Sequence, residues 1–160
     1  MRLSTRGRYA VMAMTELAMR EARTPPRADG RASPPVSLAE IAASQMLSLP
    51  YLEQLFGPMR RAGLVASARG PGGGYRLTRP AACITIAQVV EAVEDNVLAG
   101  RGDDDLPSRT VRGPGLTDAL WTELNEQVRL FLNSVSIADV LAGRVAGSAV
   151  AHAPDARVTA

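Results

Sequence analysis

The sequence contains few of the side chains on which catalytic and metal sites usually depend. Among 160 residues there is one cysteine, Cys83, and one histidine, His152, and every basic residue is an arginine. A single cysteine excludes an intrachain disulfide framework and is typical of a reducing compartment. A single histidine argues against a histidine-based zinc site and a Ser-His-Asp triad. Since no paired acid and base accompanies a nucleophile, we expect a protein that is not an enzyme.

Long apolar runs are also missing. The longest extend over a few residues, whereas a helix needs about 20 to cross a bilayer. The first segment, MRLSTRGRYA, is polar and basic and lacks the apolar core of a secretory signal. Apolar residues nevertheless make up 46% of the chain, enough for a globular core. We therefore expect a folded cytoplasmic protein with no membrane partner.

Charge is distributed unevenly along the chain. Residues 1–80 carry 12 arginines against five acidic residues, a net charge of +7, and residues 81–160 carry six against 11, a net charge of −5. A basic half beside an acidic half indicates that the first half meets a polyanion. Ordinary surface charge in an arginine-rich proteome is the alternative that charge alone leaves open.

Three helices are predicted in the first part of the chain. Residues 5–22 have alanine, methionine and leucine at the spacing of one apolar helix stripe. After a breaker-rich loop at 24–35, Ser37 opens a short helix with a capping box, which ends near Gln45. Ser48 caps the next helix. Two helices joined by so short a turn are typical of a helix-turn-helix.

Two local details of these helices carry further expectations. Glu16 and Arg20 are four residues apart, so we expect an ion pair on the surface, away from the apolar stripe. Pro58 lies inside the apolar stripe of the last helix and lacks the N–H that bonds the carbonyl four residues earlier. We expect a kink or an early end there, with Gly63 as the stop signal if the helix continues.

A β-hairpin with a glycine-rich tip follows. Residues 64–69 and 75–78 have the pattern of short strands around Gly-Pro-Gly-Gly-Gly at 70–74. The tip lacks the Gly-Lys-Ser/Thr ending of a nucleotide phosphate loop and leads into a strand, so a hairpin is favoured. Helix, turn, helix and hairpin form the order of a winged helix-turn-helix DNA-binding domain, which we assign to residues 1–80.

The second part of the chain, residues 81–142, is predicted to consist of helices around an acidic loop. The expected elements are a helix from Thr85 to about Asp95, a loop at 96–115, the longest helix from Leu116 to about Val135, and a short helix from Ile137 to Leu141. Residues 143–160 show no pattern and are expected to form a disordered tail. The predicted fold class is therefore mainly α, with a small β-hairpin wing and a long C-terminal helix.

Polar and basic side chains occupy the positions from which a winged helix would contact DNA. A recognition helix needs polar residues in its first turns, and glycines let a wing tip approach a groove closely. The start of the first helix favours anions, and arginines suit phosphates. The candidates are Ser48, Tyr51, Glu53, Gln54, Arg60, Arg61, Arg69, Gly70, Pro71, Arg2, Arg6 and Arg8. A solvated polar face, a plain hairpin turn and a frayed N-terminus are the alternatives.

The long C-terminal helix has more apolar surface than one small domain can cover. The side chains concerned are Leu120, Trp121, Leu124, Val128, Phe131 and Leu132. If two copies meet through them, two recognition helices lie on successive half-sites of a near-palindromic operator. The alternative is packing within one chain.

Several segments of the chain have specific motifs: MRLSTRGRYAV at 1–11, SLPYLEQLF at 48–56, RRAGLVASARGPGGGYRL at 60–77, ITIAQVVEAVE at 84–94 and LTDALW at 116–121. Together they resemble the IscR-type family of bacterial winged-helix transcription regulators. This resemblance implies a homodimer that binds double-stranded DNA. The helix capped by Ser48 would lie in the major groove, and the wing with Arg69 in the minor groove. It also implies control of genes for iron–sulfur cluster assembly or iron homeostasis, and a role for Glu53 in choosing between operator classes.

The sequence departs from this family where the family binds its iron–sulfur cluster. The family's ligands are three cysteines and a histidine, but here the loop has no cysteine and Asp118 stands where the histidine is usual. Three interpretations stay open: no cofactor, an iron–sulfur cluster with unusual ligands such as Cys83 and Asp118, or a hard metal ion held by the aspartates at 103–105. Cys83 is alternatively a small, partly buried apolar residue. A cluster-free regulator that answers another signal and a protein–protein interaction module are the alternative functions.

Overall fold

The fold consists of six α-helices and one hairpin in the computed structural model, which describes residues 4–24, 33–70, 72–94 and 117–145. The elements in chain order are α1 (Thr5–Arg23), α2 (Leu38–Gln45), α3 (Leu49–Arg61), β1 (Val65–Ala68), β2 (Gly74–Leu77), a 3-10 helix (Ala81–Cys83), α4 (Ile86–Val93), α5 (Asp118–Ser134) and α6 (Ile137–Leu141). This order confirms the predicted fold class. No helix in these ranges is long and apolar enough to span a bilayer. The predicted acidic loop and most of the predicted tail lie outside the described residues.

α1 is the central helix, because it contacts α2, α3, α4, α6 and β2. It begins where the Ser4 hydroxyl oxygen accepts a hydrogen bond from the Gly7 N–H, 3.1 Å away. The predicted apolar stripe is confirmed, since Ala10, Met14 and Leu17 are fully buried. This one stripe fixes which side of α1 faces the core.

The predicted ion pair on α1 forms, but its predicted location is wrong. Arg20 Nε lies 2.6 Å from Glu16 Oε1, yet Glu16 is only 6% exposed. The second Glu16 oxygen accepts a hydrogen bond from Gln45 Nε2 at 3.3 Å, which ties the end of α2 to α1 and explains the burial. Burial acts to raise the pKa of Glu16, but hydrogen bonds from its neighbours and the Arg20 charge outweigh it and hold that pKa below 4.5.

α2 and α3 form the helix-turn-helix with the caps that the sequence predicts. Ser37 and Glu40 make a reciprocal capping box at the start of α2. α2 ends at Gln45, as predicted, and the left-handed backbone of the next residue, Met46, turns the chain towards α3. Ser48 then caps α3. The two helices are therefore joined by a turn of three residues, Met46 to Ser48.

α3 continues through Pro58 to Arg61, so the expected early end is wrong. Pro58 deprives the Gln54 carbonyl of its helical partner, but Gln54 is exposed and water can serve that oxygen. The predicted stop at Gly63 is confirmed. Its φ is +70°, and its N–H donates to the Arg60 carbonyl at 3.0 Å.

The wing is attached to the helix-turn-helix along one edge. β1 and β2 pair antiparallel, with Val65 opposite Leu77. On the other edge of β2, Tyr75 exchanges two backbone hydrogen bonds with Val36, at 2.9 and 2.7 Å. Gly74 permits this approach, because a Cβ there would lie 2.2 Å from the Val36 carbonyl oxygen. The wing thus has a fixed base next to α2.

A second backbone bridge joins the start of α4 to the junction between α5 and α6. The Ile86 N–H donates to the Val135 carbonyl and the Ile137 N–H to the Ile84 carbonyl, each at 2.9 Å. Ile84 and Ile137 are fully buried, so the bridge lies in the core. The expectation that α5 is the longest helix is wrong among the described residues, because α5 begins only at Asp118 and has 17 residues against 19 in α1.

We expect Glu16→Gln to lower the free energy of unfolding at neutral pH by about 1.5–3 kcal/mol, since it removes a charge-assisted hydrogen bond at a buried position. Because the pKa of Glu16 is lowered, its carboxylate stabilises the fold above pH 4.5 and this contribution is lost as the pH falls further. Urea unfolding of both proteins across this range measures the difference. Glu126→Gln, at the exposed pair with Arg129, is the control and should change the free energy of unfolding less than Glu16→Gln does. If the loss of unfolding free energy caused by Glu16→Gln stayed the same below pH 4.5, the ionised Glu16 carboxylate would not be the stabilising group.

Candidate nucleic-acid interface

α3 presents two different faces, because side chains repeat about every 3.6 residues around a helix. Leu52, Leu55 and Phe56 are fully buried on one face. Glu53 and Gln54 are exposed on the other, in the first half of the helix. A carboxylate can accept a hydrogen bond from cytosine N4, and a primary amide can bond adenine N6 and N7. Two side chains able to read bases therefore lie near the end from which a recognition helix enters a groove.

Ser48 and Tyr51 border this face and also have structural tasks. The Ser48 hydroxyl oxygen accepts a hydrogen bond from the Tyr51 N–H at 3.4 Å and so caps α3. The half-buried Tyr51 ring meets the Tyr9 ring of α1 edge-on, with centroids 5.8 Å apart and an interplanar angle of 89°. The orientation of Tyr51 is therefore set by α1.

Exposed arginines flank the same surface. Arg60 and Arg61 lie in the last turn of α3, where their charge also complements the negative end of the helix dipole. Arg60 Nη1 is 3.4 Å from Ser67 Oγ of β1, so this guanidinium lies between α3 and the wing. Arg6 and Arg8 are exposed in the first turn of α1, and Arg2 lies outside the described residues.

The wing tip combines one arginine with a tight backbone turn. Arg69 and Gly70 are exposed, and Pro71 lies outside the described residues. The Gly73 N–H donates to the Gly70 carbonyl at 2.8 Å and closes the turn. Gly70 and Gly72 have φ values of 103° and 75°, at which a side chain would be strained. The tip is therefore narrow, with Arg69 beside it.

The start of α1 already holds an anion from the chain itself. We expected this helix N-terminus to favour a phosphate. Instead, the Glu94 carboxylate accepts hydrogen bonds from the Ser4 hydroxyl and, at 3.2 Å, from the Gly7 N–H. An internal carboxylate therefore accepts one of the backbone hydrogen bonds at this helix end, and a phosphate contact beside it stays a prediction. Arg6 and Arg8 are left as cations on the surface beside it.

Gly7 allows Glu94 to come this close, a contact that sequence reasoning missed. A Cβ at residue 7 would lie 2.5 Å from Glu94 Oε1. The other Glu94 oxygen is buried without a hydrogen-bond partner among the described residues. The two residues are 87 positions apart, so no local pattern signals the contact. A glycine in the first turn of an otherwise regular helix, where it costs about 1 kcal/mol relative to alanine, is the one available clue.

The two candidate metal ligands do not form a site in the part of the chain that the structure describes. Cys83 is exposed, so the interpretation of it as a partly buried residue is wrong. The reason is that the next residue, Ile84, takes the core position. Asp118 is the first residue of α5. No three histidine, cysteine or acidic side chains in the described ranges are grouped to hold a metal ion, and residues 103–105 lie outside those ranges.

α5 carries most of its large apolar side chains on the outside. Those expected in a dimer contact and found 38–62% exposed are Leu120, Trp121, Leu124 and Phe131. Val128 is half-buried against the core. Leu132 is buried within the core of the chain itself, which makes it part of the fold rather than of this exposed stripe.

Comparison with known proteins indicates one family of regulators. The model of the Rrf2 family, described as an iron-dependent transcriptional regulator, matches residues 3–143. The HTH-type transcriptional regulator IscR of Cereibacter sphaeroides is 44% identical over 144 residues, which cover 88% of this chain and 87% of that protein. IscR of Vibrio vulnificus is 41% identical over 145 residues, 88% of this chain and 77% of that protein. The chain belongs to the Rrf2 family.

Solved structures of similar proteins agree with this assignment. T. potens IscR superposes with a TM-score of 0.68 at 32% identity, over 90% of this chain and 88% of that one. CymR, the global cysteine regulator of B. subtilis, superposes with a TM-score of 0.68 at 30% identity, over 89% and 98%. As a member of the Rrf2 family, the chain is a DNA-binding transcription regulator of the IscR type, with a winged helix-turn-helix, and not an enzyme.

The Glu94 contact predicts that substitutions at Gly7 and Glu94 have non-additive effects on the free energy of unfolding of this Rrf2 protein. Gly7→Ala places a methyl group against the carboxylate and should lower the free energy of unfolding by about 1–2 kcal/mol, the contribution of a helix cap. In a Glu94→Ala background the obstacle is absent, so Gly7→Ala should be neutral or stabilise by up to about 1 kcal/mol.

Urea unfolding of the four proteins measures this coupling. Gly57→Ala, whose Cβ would meet nothing closer than 3.8 Å, is the control, and its effect should not depend on residue 94. Gly7→Ala acting equally in both backgrounds is the outcome that excludes the contact.

Proposed function

We propose that the chain acts as a homodimer whose two α3 helices read successive half-sites of a near-palindromic operator in double-stranded DNA. The observation that carries this proposal is the exposure of Glu53 and Gln54 on a helix whose opposite face is fully buried. Ser48 and Tyr51 are proposed to contact the same major groove from the start of the helix. The narrow wing tip, with Arg69, Gly70 and Pro71, is proposed to enter the adjacent minor groove.

The phosphate contacts are assigned to arginines around this face. Arg6, Arg8, Arg60 and Arg61 are exposed, and Arg2 is proposed to join them. The net charge of +7 on residues 1–80 supports the assignment, because a basic surface concentrates at a polyanion. Each neutralised phosphate releases counterions, so binding should weaken steeply as salt rises.

A second copy of the chain is proposed to cover the exposed stripe of α5. Leu120, Leu124 and Phe131 follow helical spacing, and Trp121 lies beside them. An exposed stripe of large apolar side chains is uncommon on a monomer. In a twofold arrangement the same stripe from each copy packs against the other. Such a dimer can place the two α3 helices at the spacing of successive half-sites, about 34–36 Å.

The target genes are proposed to serve iron–sulfur cluster assembly or iron homeostasis. The family description as an iron-dependent transcriptional regulator supports this assignment. We place the protein in the cytoplasm, because its proposed partner is DNA and a single cysteine suits a reducing compartment.

An iron–sulfur cluster does not fit the donors of this chain. Such clusters are held by several thiolates, with imidazole in some cases. The chain offers one thiol, the exposed Cys83, and the position at the start of α5 is Asp118, a harder ligand. We therefore propose a regulator that works without a cluster and responds to another signal. The similarity to CymR, a cysteine regulator, supports a fold that serves more than one signal.

Two substitutions distinguish base reading by α3 from binding that does not depend on sequence. On a duplex selected from a random library with the full chain, Arg69→Ala should weaken binding to selected and random DNA alike and reduce the salt slope by about one. Glu53→Ala should change base preference at one position per half-site, worth about 1–3 kcal/mol. Titrations by fluorescence anisotropy at several salt concentrations measure both. Arg129→Ala on α5 is the matched control, and equal losses on all duplexes for both variants would contradict the proposal.

Disrupting the α5 stripe should separate the two copies. Leu124→Arg places a charge in the proposed contact and should raise the dimer dissociation constant by at least about 30-fold, equivalent to a hot-spot loss of about 2 kcal/mol. Leu130→Arg is the matched control. Leu130 is also exposed, but its side chain lies about 120° from that of Leu124 around the helix axis. Sedimentation velocity measures the mass against 16.9 kDa for one chain. A wild-type monomer, or a Leu124→Arg dimer as tight as wild type, would refute this interface.

A further inference from the structure

β2 needs hydrogen-bond partners on the edge that faces away from β1. Backbone groups of alternate residues point to the same edge of a strand, so the N–H groups of Tyr75 and Leu77 both point outwards. Tyr75 is paired with Val36. The Leu77 N–H donates to Glu21 Oε1 of α1 at 2.9 Å. A side chain of α1 thus completes the edge where the backbone bridge stops.

Placing the Glu21 carboxylate at the edge of β2 has a cost in free energy, because the carboxylate is partly removed from water. Its carboxylate is half-buried, and burial raises its pKa, although the Leu77 hydrogen bond and the Arg76 charge oppose this effect. A carboxylate in such a position needs a compensating contact, since burying a polar group without a partner costs free energy. The compensating contact here is a backbone group of the wing, 56 residues away in sequence.

The bridge to Val36 fixes the base of β2, and two neighbouring side-chain contacts add to it. The Tyr75 ring packs on the Phe56 ring of α3, with centroids 4.8 Å apart. Two residues further on, Glu21 holds Leu77 against α1. The first contact sets the distance of β2 from the recognition helix. The second restrains rotation of the strand about the first.

We propose that Glu21 is a positioning residue for DNA recognition: by holding Leu77 it fixes the angle at which the wing presents Arg69 to the minor groove. The inference rests on the proposed role of the wing in DNA binding. It adds that a residue of α1, Glu21, sets the orientation of the wing without itself contacting DNA. Arg76, which faces Glu21 from β2, is the charged neighbour at this contact.

A double-mutant cycle tests whether Glu21 acts through the wing. The full chain carries Glu21→Leu, Arg69→Ala, or both, and binds the selected operator duplex. Glu21→Leu alone should weaken binding about tenfold, and its effect should fall below about twofold once Arg69 is alanine, because the misplaced contact is already gone. Glu21→Gln keeps an acceptor oxygen and should bind within about twofold of wild type.

Glu21→Asp is the second variant and serves the same cycle if the leucine variant does not fold. It keeps the charge but is one methylene too short to reach Leu77, so it should lose affinity as Glu21→Leu does. Additive losses with Arg69→Ala, or wild-type binding by Glu21→Asp, overturn the role of Glu21 while leaving the wing contact intact. If Arg69→Ala alone has no effect, the wing contact of the proposed function fails, and this inference fails with it.

Discussion

Complete burial of one face of α3 is the constraint on which the rest of the structure depends. Leu52, Leu55 and Phe56 have no exposed surface, so α3 cannot rotate without losing about 1.5–3 kcal/mol for each apolar side chain brought into water. A fixed rotation of the helix determines that Glu53 and Gln54 face outwards. Base reading depends on this rigidity, because a bidentate contact with a base edge requires a defined position of the side chain. The buried apolar residues of α3 therefore determine which of its polar residues are available to DNA.

α1 extends the same rigidity to both ends of the DNA-binding half. Near its start, the Gly7 N–H donates to Glu94, the last described residue before the acidic loop. Near its end, Glu21 accepts a hydrogen bond from the wing. The two contacts are 14 residues apart, or about 21 Å along a helix that rises 1.5 Å per residue. Because helix backbone hydrogen bonds resist compression and bending, α1 is a stiff connection between Glu94 and the wing.

Local physics made much of this fold predictable from the sequence. Capping residues such as Ser37 and Ser48 and the stop at Gly63 depend only on neighbouring residues, and the helices begin and end where these signals predict. Two departures from the predictions have a common origin in distant contacts. Glu16 was expected on the surface because Gln45 could not be foreseen beside it, and the Glu94 carboxylate at the start of α1 was missed because it is 87 residues from Gly7. The exposure of Glu53, Gln54 and Arg69 was predictable because it follows from the apolar stripe of α3 and from the hairpin turn, which are both local patterns.

Two backbone bridges hold the described elements of this regulator together. The wing is anchored by the bridge between Val36 and Tyr75, and the C-terminal helices by the bridge through Ile84 and Ile137. Both depend on backbone hydrogen bonds and apolar burial among the described residues. In the cluster-free regulator that we propose, a signal would therefore act on a winged helix that is already folded. Among the described residues that adjoin residues 95–116, Glu94 is hydrogen-bonded to the start of α1, so a displacement there would reach the DNA-binding half through this carboxylate as well as through the packing of α4 on α1.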